Sequence, residues 1–432
     1  MAFLFGVSMQ SSLAYLEGLK QRGIHLDTGP ISRLLARLDN PHTRYKTILI
    51  GGTNGKGSTA AILSSILMKE GMKVGLYTSP HMVDFRERIR INDHMIPESA
   101  LCALIDRVKK EGTENVTYFE FTTAVAFEYF YQCDVDIAVV EVGMGGRLDA
   151  TNLLSPEISV ITNISLEHQN YLGNNLKSIA IEKGGIIKKD GVCLTAARGR
   201  TVIDTLKEMC EQRGSAFYRT GTDIKIRRSG GGRFSYYGIN KRYQGLRIAL
   251  AGEHQIENAG LAIAVVDLLT GQGMRITDAS VIAGLKNVEW EGRLECISSN
   301  PRIVLDGAHN PAAISSLCNS LTKNFSYRRL IVVFGVLNDK DYRRMLKKIM
   351  PLAHTILLTR PPGERAVSTE DLLSLTSLFR KHVEAIDDPS EALARAGFLA
   401  GRDDLVCVTG SLYLVGAIKE YLSFDLPRGG LL

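Results

Sequence analysis

The stretch LIGGTNGKGSTAAIL, Leu49–Leu63, joins an apolar run to a glycine-rich turn and then to a helical pattern. In the usual phosphate-binding loop, Gly-Lys is followed directly by Ser or Thr. Here Gly57 separates Lys56 from the hydroxyls of Ser58 and Thr59. A strand, a glycine turn and a helix beginning near Ser58 would still point backbone N–H groups and the positive helix end at a phosphate. The stretch therefore predicts a phosphate site, and a solvated lysine on a simple strand–helix turn is the alternative.

Length and composition indicate an ordinary globular protein with more than one domain. A chain of 432 residues exceeds the usual single domain of about 100–200 residues. Its hydrophobic share of 45% and charged share of 23% exclude the disordered, collagen-like and coiled-coil classes. A net charge of +6 suits small anionic substrates and is too weak to indicate a nucleic-acid partner.

The cysteines and the apolar runs predict a cytoplasmic protein without a membrane segment. The seven cysteines are scattered and never form a C-x-x-C pair, which argues against disulfides and a zinc site. The opening MAFLFGVSMQSSLAYL has no basic residue before its apolar run, so a signal peptide is not expected. No apolar run reaches the roughly 18 residues that a membrane-spanning helix needs.

From about Lys46, short β-branched runs alternate with helical patterns, which is typical of βαβ units around a parallel sheet. The predicted strands are TILIG, KVGLYTS, DIAVVEVG, ISVITNIS, RIVLDG, LIVVFGV, HTILLTR and LVCVTGS. Open sheets of this kind bind ligands outside the carboxyl ends of their strands. Those ends carry or are followed by polar residues: Thr53, Ser79, Glu141, Asn163 and Asp306.

The sequence pattern changes between about Cys193 and Glu253, where glycines and alternating aromatic residues predict antiparallel hairpins. The basic and aromatic residues from Arg227 to Tyr243 are also compatible with a nucleic-acid surface, although an RNP-type motif is missing. One solvated face of a hairpin explains them as well, and no nucleic-acid partner is expected. The domain boundary is predicted near Leu294–Ser299, which gives domains 1–295 and 296–432.

Two residues near strand ends, Glu141 and His168, suit a metal site but have structural alternatives, whereas Lys183 has only a structural interpretation at this point. An isolated carboxylate at the end of an apolar strand is costly, so Glu141 is predicted either to bind Mg²⁺ or to pair with Arg147. His168 is either a ligand or a structural histidine. Lys183 precedes a Gly-Gly turn, where a solvated helix-end lysine is the default.

Two polar turns each have a functional and a structural interpretation. VLDGAHNPAA places Asp306 and His309 between a strand and a helix, at an edge that suits a nucleotide or catalytic groups. A simple N-cap by Asn310 is the alternative. Asp149, which follows a glycine turn, is either a helix cap or a polar substrate contact.

Taken in order, the motifs resemble those of the folylpolyglutamate and dihydrofolate synthases of the Mur ligase superfamily. The matching pieces are GGTNGKGST, YTSPHMVDFRERIRIN, TYFEFTTAVAFEYF, VEVGMGGRLDATN, ITNISLEHQNYLG, IAIEKGGIIK, GEHQIENAGLA, WEGRLE, LDGAHNPAA, GVLNDKDY and VTGSLYLVG. They extend from Leu13 to Gly416. The resemblance implies an α/β fold: an N-terminal P-loop-type ATPase domain with an antiparallel β subregion, then a C-terminal Rossmann-like domain, with ATP between them.

The resemblance also implies the residues of each site. The family's ATP contacts correspond to Asn54, Gly55, Lys56, Gly57, Ser58, Thr59, Asn258, Arg293 and Asp306. Its ligands for two Mg²⁺ ions correspond to Ser58, Ser79, Glu141, His168 and Lys183, the last as a carbamylated lysine. Its pterin or folate contacts correspond to Phe119, Glu120, Phe121, Thr122, Leu148, Asp149 and Ala150. His309 would lie near the incoming glutamate, which makes Lys56, Lys183 and His309 the catalytic candidates.

The chain departs from the family pattern at two positions. Glu167 precedes His168 where the family usually has aspartate, which alters the geometry at that ligand. Gly185 stands where the family has alanine, and this change leaves Lys183 in place.

Together these sites predict ATP-dependent amide ligation, and the resemblance implies a monomer. A pteroate or folate carboxylate would attack the γ-phosphate of ATP, and the amine of L-glutamate would then displace phosphate from the acyl phosphate. A P-loop kinase or another Mur-type amino-acid ligase is the alternative. Whether the chain adds the first glutamate to dihydropteroate, extends reduced folates, or does both is left open.

Overall fold

The computed structural model describes residues 8–425 except residues 231, 378 and 380. The chain divides into two compact units. Unit 1 comprises the residues up to His81 together with Phe85–Ala249 and Ile256–Val288. Unit 2 comprises Met82–Asp84, Leu250–Gln255 and the residues from Glu289 onward.

Unit 1 is built on a mainly parallel sheet. In the part of the chain that the structure describes, its strands are β1 (Lys46–Gly51), β2 (Val74–Tyr77), β3 (Ile89–Ile91), β4 (His94–Met95), β5 (Ile137–Glu141), β6 (Ile158–Ile161), β7 (Val192–Thr195) and β8 (Ala216–Arg219). Their order is β4-β3-β2-β5-β1-β6-β7-β8, and the antiparallel pairs are those that β3 makes with β2 and β4. Because β1 pairs in parallel with β5 and β6, the carboxyl ends of these three strands lie side by side.

Helices lie between several of these strands, as the alternating pattern predicts, and others precede or follow the sheet. They are α1 (Met9–Lys20), α2 (Gly29–Arg37), α3 (Lys56–Lys69), α4 (Glu98–Lys110), α5 (Tyr118–Gln132), α6 (Gln169–Leu172), α7 (Leu176–Gly184), α8 (Arg200–Arg213), α9 (Glu253–Gly271) and α10 (Asp278–Asn287). Short 3₁₀ helices occur at Pro41–Thr43, Phe85–Arg88 and Ala150–Leu153. The strands β1, β5 and β6 are buried along nearly their whole length, which is the expected result of covering both faces of a parallel sheet.

A small antiparallel sheet follows the large one. Its strands are β9 (Lys225–Ser229), β10 (Arg233–Tyr237) and β11 (Arg242–Arg247). The predicted hairpins are therefore confirmed for residues 225–247 and are wrong for 193–219, where β7, α8 and β8 continue the βαβ pattern. Helix α8 forms because Val202, Leu206 and Cys210 recur at helical spacing on its buried side.

Unit 2 contains a second mixed sheet. Its strands are β12 (Glu295–Ser299), β13 (Arg302–Asp306), β14 (Leu330–Phe334), β15 (Thr355–Leu358), β16 (His382–Ala385) and β17 (Leu405–Thr409), in the order β12-β13-β17-β14-β15-β16. Its helices are α11 (Pro311–Asn324), α12 (Tyr342–Ile349), α13 (Thr369–Ser374), α14 (Pro389–Leu399) and α15 (Leu412–Asp425). Strand β12 is antiparallel to β13, and the other described pairs are parallel.

The α/β fold class and all eight strands predicted from apolar runs are confirmed. The strands that were not predicted are short or partly exposed, as in β3, β4, β8, β12 and β16, or belong to the segment assigned to hairpins, as in β7. Among the residues that the structure describes, no helix has the length and apolar character that crossing a membrane requires.

Candidate active site

The glycine-rich loop between β1 and α3 is held by the strand next to it. The backbone N–H of Asn54 donates to Oδ1 of Asn163 at 3.0 Å, and Nδ2 of Asn163 donates back to the Asn54 carbonyl at 2.8 Å. The hydroxyl of Thr162 donates to the same carbonyl at 2.7 Å. Helix α3 begins at Lys56, so Gly57, Ser58 and Thr59 form its first turn. This is the strand–loop–helix arrangement that binds phosphate in other proteins.

Two glycines of the loop adopt positive φ angles where a side chain would not fit. Gly52 has φ 131°, and a Cβ there would lie 2.0 Å from Oγ1 of Thr162. Gly55 has φ 86°, and a Cβ there would lie 2.4 Å from Oδ1 of Asn258. The loop therefore needs glycine at both positions. The same geometry brings Asn258 of α9, a predicted ATP contact, directly against the loop.

Glu141 is the carboxylate at this edge of the sheet. It is only 5% exposed, and its Oε1 lies 3.8 Å from Nζ of Lys56. The backbone N–H of Ser79 donates to its Oε2 at 3.2 Å. Arg147, the alternative partner, instead forms a 2.9 Å ion pair with Glu182. The loop lysine, the carboxylate and the backbone of Ser79 are therefore neighbours, as the metal-site hypothesis requires.

Lys183 lies at the end of α7 and is 2% exposed, so its interpretation as a solvated helix-end lysine is wrong. Its Nζ donates to the carbonyl of Gly52 at 2.9 Å and lies 3.4 Å from Oε1 of Glu167. Burial lowers the pKa of Lys183 to about 8, although the Glu167 carboxylate opposes this shift. His168, with φ 47°, has its Nε2 4.0 Å from the Glu167 carboxylate.

The donor set at this edge fits Mg²⁺ rather than a soft metal. The described residues contain no group of three or more His, Cys, Asp and Glu side chains placed to hold a metal ion. They do offer the Glu141 carboxylate beside Ser79, with Ser58 in the first turn of α3. Mg²⁺ commonly takes one or two carboxylates and completes its shell with water and substrate phosphates. A sparse, oxygen-rich set next to a phosphate loop therefore suits this ion.

The predicted substrate residues at the start of α5 differ in how much side-chain surface they expose. Phe119 is half-buried and stacks on Tyr77 with ring centroids 6.0 Å apart. Glu120 closes a capping box, because its Oε2 accepts from the N–H of Thr117 at 2.8 Å. Phe121 and Thr122, by contrast, are fully buried. Phe119 is thus the member of this group with side-chain surface available to a ligand.

The second predicted substrate segment surrounds a buried aspartate. Asp149 accepts from the N–H of Met144 at 2.9 Å and from the N–H of Thr151 at 3.0 Å, so it caps the short helix that follows. Burial raises the pKa of the Asp149 carboxyl against these hydrogen bonds. Leu148 is half-buried, whereas Ala150 is buried.

Three residues that were not predicted as site residues lie in this arrangement. Asn163 braces the loop, Glu167 pairs with Lys183, and Arg88 is buried near Tyr77. The position of Asn163 near the carboxyl end of the predicted strand ISVITNIS was a usable signal for its role. The roles of Glu167 and Arg88 depend on contacts across the fold that have no local pattern.

Unit 2 contains the remaining predicted residues. Asp306 ends β13, and its carboxylate accepts from the N–H groups of Leu294 at 3.0 Å and Ala308 at 2.9 Å. Burial raises the pKa of this carboxyl, while the nearby charge of Arg293 opposes the shift.

The turn after Asp306 contains both the histidine and the predicted helix cap. Nδ1 of His309 lies 2.9 Å from the Gly307 carbonyl. The Asn310 side chain accepts from the N–H of Ala313 at 2.9 Å and so caps α11. The cap and the candidate catalytic histidine are therefore adjacent, and the structural role of Asn310 does not compete with a role for His309.

Two domain families match the sequence. Residues 50–266 match the Mur ligase middle domain, and residues 292–412 match the glutamate ligase domain of Mur ligases. The dihydrofolate synthase/folylpolyglutamate synthase of Bacillus subtilis is 33% identical over 426 residues, which cover 96% of this chain and 99% of that protein. The folylpolyglutamate synthase of Lacticaseibacillus casei is 34% identical over 427 residues, covering 95% of this chain and 98% of that protein.

Solved structures agree with this relationship. Escherichia coli FolC in complex with DHPP and ADP has a TM-score of 0.90 at 29% identity, covering 97% of this chain and 98% of that one. The folylpolyglutamate synthase of Thermotoga maritima has a TM-score of 0.85 at 36% identity, covering 96% and 98%. The chain therefore belongs to the folylpolyglutamate synthase and dihydrofolate synthase family of the Mur ligases and is an ATP-dependent ligase.

Proposed function

We propose that the residues around the β1–α3 loop bind ATP for the ligation of L-glutamate to a pteroate or folate carboxylate. One observation carries the proposal: the Lys56 ammonium, the buried Glu141 carboxylate and the side chain of Asn258 meet at one edge of the unit 1 sheet. A glycine-rich loop alone serves many nucleotide enzymes. A loop whose lysine also lies beside a buried carboxylate suits a phosphoryl transfer that needs two cationic centres, the lysine and a metal ion held by the carboxylate.

Each residue has a specific task in this proposal. The loop from Asn54 to Thr59 contacts the β- and γ-phosphates through the N–H groups of Gly55 to Ser58, and Lys56 neutralises their charge. Ser58, Ser79, Glu141, His168 and a carbamylated Lys183 hold two Mg²⁺ ions. The bound ions supply charge neutralisation and a fixed orientation of the phosphates. In unit 2, Arg293 and Asp306 contact ATP, and His309 lies near the incoming glutamate.

The reaction has two displacements. A carboxylate oxygen of the acceptor bonds to the γ-phosphorus, the bond from that phosphorus to the β,γ-bridging oxygen breaks, and ADP leaves. The neutral amine of L-glutamate then attacks the acyl carbon and loses its proton, and inorganic phosphate leaves with the electron pair. Relatives support these substrates, because one solved structure holds DHPP and ADP and another holds Mn, AMPPNP and L-glutamate.

The same proposal assigns the domains and the setting of the protein. Residues 1–295 bind ATP and the folate substrate, and residues 296–432 form the glutamate side; the match of 292–412 to a glutamate ligase domain supports this division. The protein acts as a cytoplasmic monomer. Its cysteines from Cys102 to Cys407 are free thiols in the structure, which suits a reducing compartment.

A product assay tests the proposal. The purified protein is incubated with Mg²⁺, ATP, L-glutamate and either dihydropteroate or tetrahydrofolate, and glutamyl products are measured by mass spectrometry. Product and ADP are expected in equal amounts, and omission of the acceptor should abolish both. Release of phosphate without an acceptor and without a glutamyl product would identify a kinase-like or regulatory NTPase instead. Comparing turnover of the two acceptors separates the two synthase activities.

A further inference from the structure

The small antiparallel sheet of unit 1 has an aromatic face and a basic face. Side chains alternate between the two faces of a strand, and the rings of Phe234, Tyr236 and Tyr243 are buried on one of them. Ile226 shares that face and packs on Gly260 of α9, where a Cβ would lie 1.9 Å from its Cδ1 atom. The other face, which we call the basic face, presents five exposed cations: Lys225, Arg227, Arg233, Arg242 and Arg247.

The basic face has no acidic side chain of its own. Strands β9, β10 and β11 contain neither aspartate nor glutamate. Within the part of the chain that the structure describes, none of the five cations forms an ion pair. Arg228 does pair with Glu257 at 2.9 Å, but it lies opposite Phe234 and so belongs to the aromatic face. Like charges opposite one another destabilise a sheet, so this arrangement indicates an anion that binds to it.

The strand register arranges the five cations in rows across the sheet. One row contains Arg233 beside Arg247, and another contains Lys225 and Arg242. Arg227 lies on β9 between these two rows. Neighbouring rows are about 7 Å apart, because two residues separate them along a strand. The basic face therefore suits a ligand with several negative charges that recur at about this interval.

The basic face is suited to charged groups and not to nucleic-acid bases. Proteins that bind single-stranded nucleic acid stack the bases on exposed aromatic rings. Here Tyr237 is half-buried, and the guanidinium carbon of Arg227 lies 5.4 Å from its ring centroid. The other rings of the sheet face α9. Arginine binds carboxylates through paired hydrogen bonds, so a chain of carboxylates fits this face better than an oligonucleotide.

The sheet packs on the part of α9 that contacts the phosphate loop. Asn258 lies against Gly55, and Ile226 of β9 packs on Gly260, which follows in the same turn of α9. The loop and the small sheet therefore share one supporting turn of helix. The basic face lies on the side of the strands that is directed away from that turn.

We propose that the basic face binds the γ-linked polyglutamate chain of folates that have already received several glutamates. The inference rests on the proposed function, because each ligation adds one α-carboxylate to the acceptor. A γ-linked residue spans about 6 Å, since its side-chain carbons lengthen the 3.8 Å repeat of an ordinary peptide. The carboxylates of the chain thus recur at nearly the spacing of the rows. Dihydropteroate has no such chain, so its binding does not depend on the basic face.

A labelled chain tests this binding without catalysis. Fluorescein-labelled penta-γ-glutamate is titrated with the protein in low salt, and binding is followed by fluorescence anisotropy. The neutral probe is the same chain with its α-carboxylates converted to carboxamides. The wild-type protein should prefer the charged chain by about tenfold or more, and added salt should weaken its binding. R233E/R247E should weaken binding by about tenfold, because each exposed ion pair contributes a factor of up to about five.

The matched control is R343E/R402E, which makes the same change in charge on unit 2. Both of these arginines are exposed, and neither forms an ion pair within the described residues. The control should bind the charged chain as the wild-type protein does. Equal affinity of the wild-type protein for the charged and neutral chains overturns the inference, even if R233E/R247E is unstable. An equal loss of binding in both double variants also overturns it.

Acceptors of different length connect the basic face to the reaction. In R233E/R247E, the KM for tetrahydropteroylpentaglutamate should rise by about tenfold, whereas the KM for dihydropteroate should stay unchanged. The inference is wrong if both KM values rise equally, or if the wild-type protein does not extend the pentaglutamate.

Hexathymidylate, which has a similar charge to the pentaglutamate chain, tests the alternative ligand. If it displaces the labelled chain more effectively than unlabelled penta-γ-glutamate does, the basic face serves nucleic acid and the inference is overturned. Glutamyl product from dihydropteroate in spite of such results leaves the proposed function intact. Absence of product with every acceptor would instead refute the proposed function itself.

Discussion

The Lys183 side chain is 2% exposed, so its ammonium group is almost completely shielded from water. Its pKa of about 8 lies below the ordinary 10.5, because burial penalises the charged form. Between these two pH values the unfolded chain binds more protons than the folded chain. For the unmodified lysine, the free energy of unfolding therefore rises with pH across this window, and the cost of burial is present in full below about pH 8.

The first prediction concerns carbamylation of Lys183. Only the neutral amine attacks carbon dioxide, so carbamate formation should increase as the pH rises through about 8. The measurement is the carbamate signal in ¹³C NMR spectra of protein kept in ¹³C-bicarbonate. Lys183→Ala should lack the signal and lose most activity while remaining folded.

Lys188 provides a matched control for that measurement. Burial also lowers its pKa to about 8, and its Nζ donates to the Asn152 carbonyl at 2.6 Å. Lys188→Ala is expected to retain the carbamate signal. A signal that persists in Lys183→Ala and disappears in Lys188→Ala would place the modification on the wrong lysine for this proposal.

The second prediction concerns Gly55, whose missing side chain makes room for Asn258. Gly55→Ala should raise the KM for ATP by about tenfold or more, because a shift worth about 1.4 kcal/mol already gives that factor. Gly71→Ala is the control, since Gly71 has a similar φ of 89° and no atom lies within 4 Å of the position that its Cβ would take. Both variants should lose about 1–2 kcal/mol of stability to backbone strain. Steady-state kinetics and thermal unfolding separate the two effects, and an unchanged KM in Gly55→Ala would contradict the prediction.

At the scale of elements, helix α5 shows how a cap aligns a functional residue. The capping box between Thr117 and Glu120 begins the helix, and this sets the position of Phe119 over Tyr77. The third prediction is that Glu120→Gln keeps the KM for the folate acceptor within about threefold, because a glutamine at this position still completes a capping box. A large rise in that KM, measured with the protein fully folded, would restore Glu120 as a direct substrate contact.

The small antiparallel sheet depends on one buried carboxylate of α9. Asp267 accepts from the hydroxyl of Tyr236 at 3.0 Å and from the N–H groups of Ile239 at 2.8 Å and Asn240 at 3.0 Å. The fourth prediction is that Asp267→Ala destabilises the protein by about 3 kcal/mol, because the buried donors lose their acceptor. Thermal or urea unfolding measures this loss.

Asp278 is the control for that substitution. Its side chain is 61% exposed and pairs with Lys241 at 2.8 Å. An exposed pair of this kind contributes about 1 kcal/mol or less, so Asp278→Ala should be much milder than Asp267→Ala. Equal losses for the two variants would show that the carboxylate of Asp267 does not hold the sheet to α9.

At the scale of the whole molecule, the large apolar side chains that are exposed come from separate parts of the sequence. Those with more than a third of their surface exposed, among them Ile24, Tyr131, Ile239 and Phe398, come from elements spread along the described chain. Stable homodimer interfaces usually need a contiguous apolar core. The fifth prediction is therefore a monomer of 47.5 kDa in sedimentation or light-scattering experiments. A concentration-dependent increase in mass would contradict it.

The sequence predicted those parts of the fold and of the site that depend on residues close to one another in the chain. The β1 strand, its loop and α3 are adjacent in the chain, so their order alone placed Lys56 and Ser58 at a strand end. Apolar runs predicted β13, β14, β15 and β17 for the same reason. Partly exposed strands such as β16 lack a continuous apolar run, and their pairing became evident only from the sheet.

The sequence by itself determined that this chain is a two-part α/β protein with a phosphate loop and the motif order of a folate-type ligase. Only the tertiary structure decided that Lys183 is buried, that Arg147 pairs with Glu182, and that Arg88 is a buried cation. The physical reason is distance along the chain. Periodicity and turn chemistry report interactions between near neighbours, whereas burial and charge pairing depend on segments that meet only when the sheet has formed.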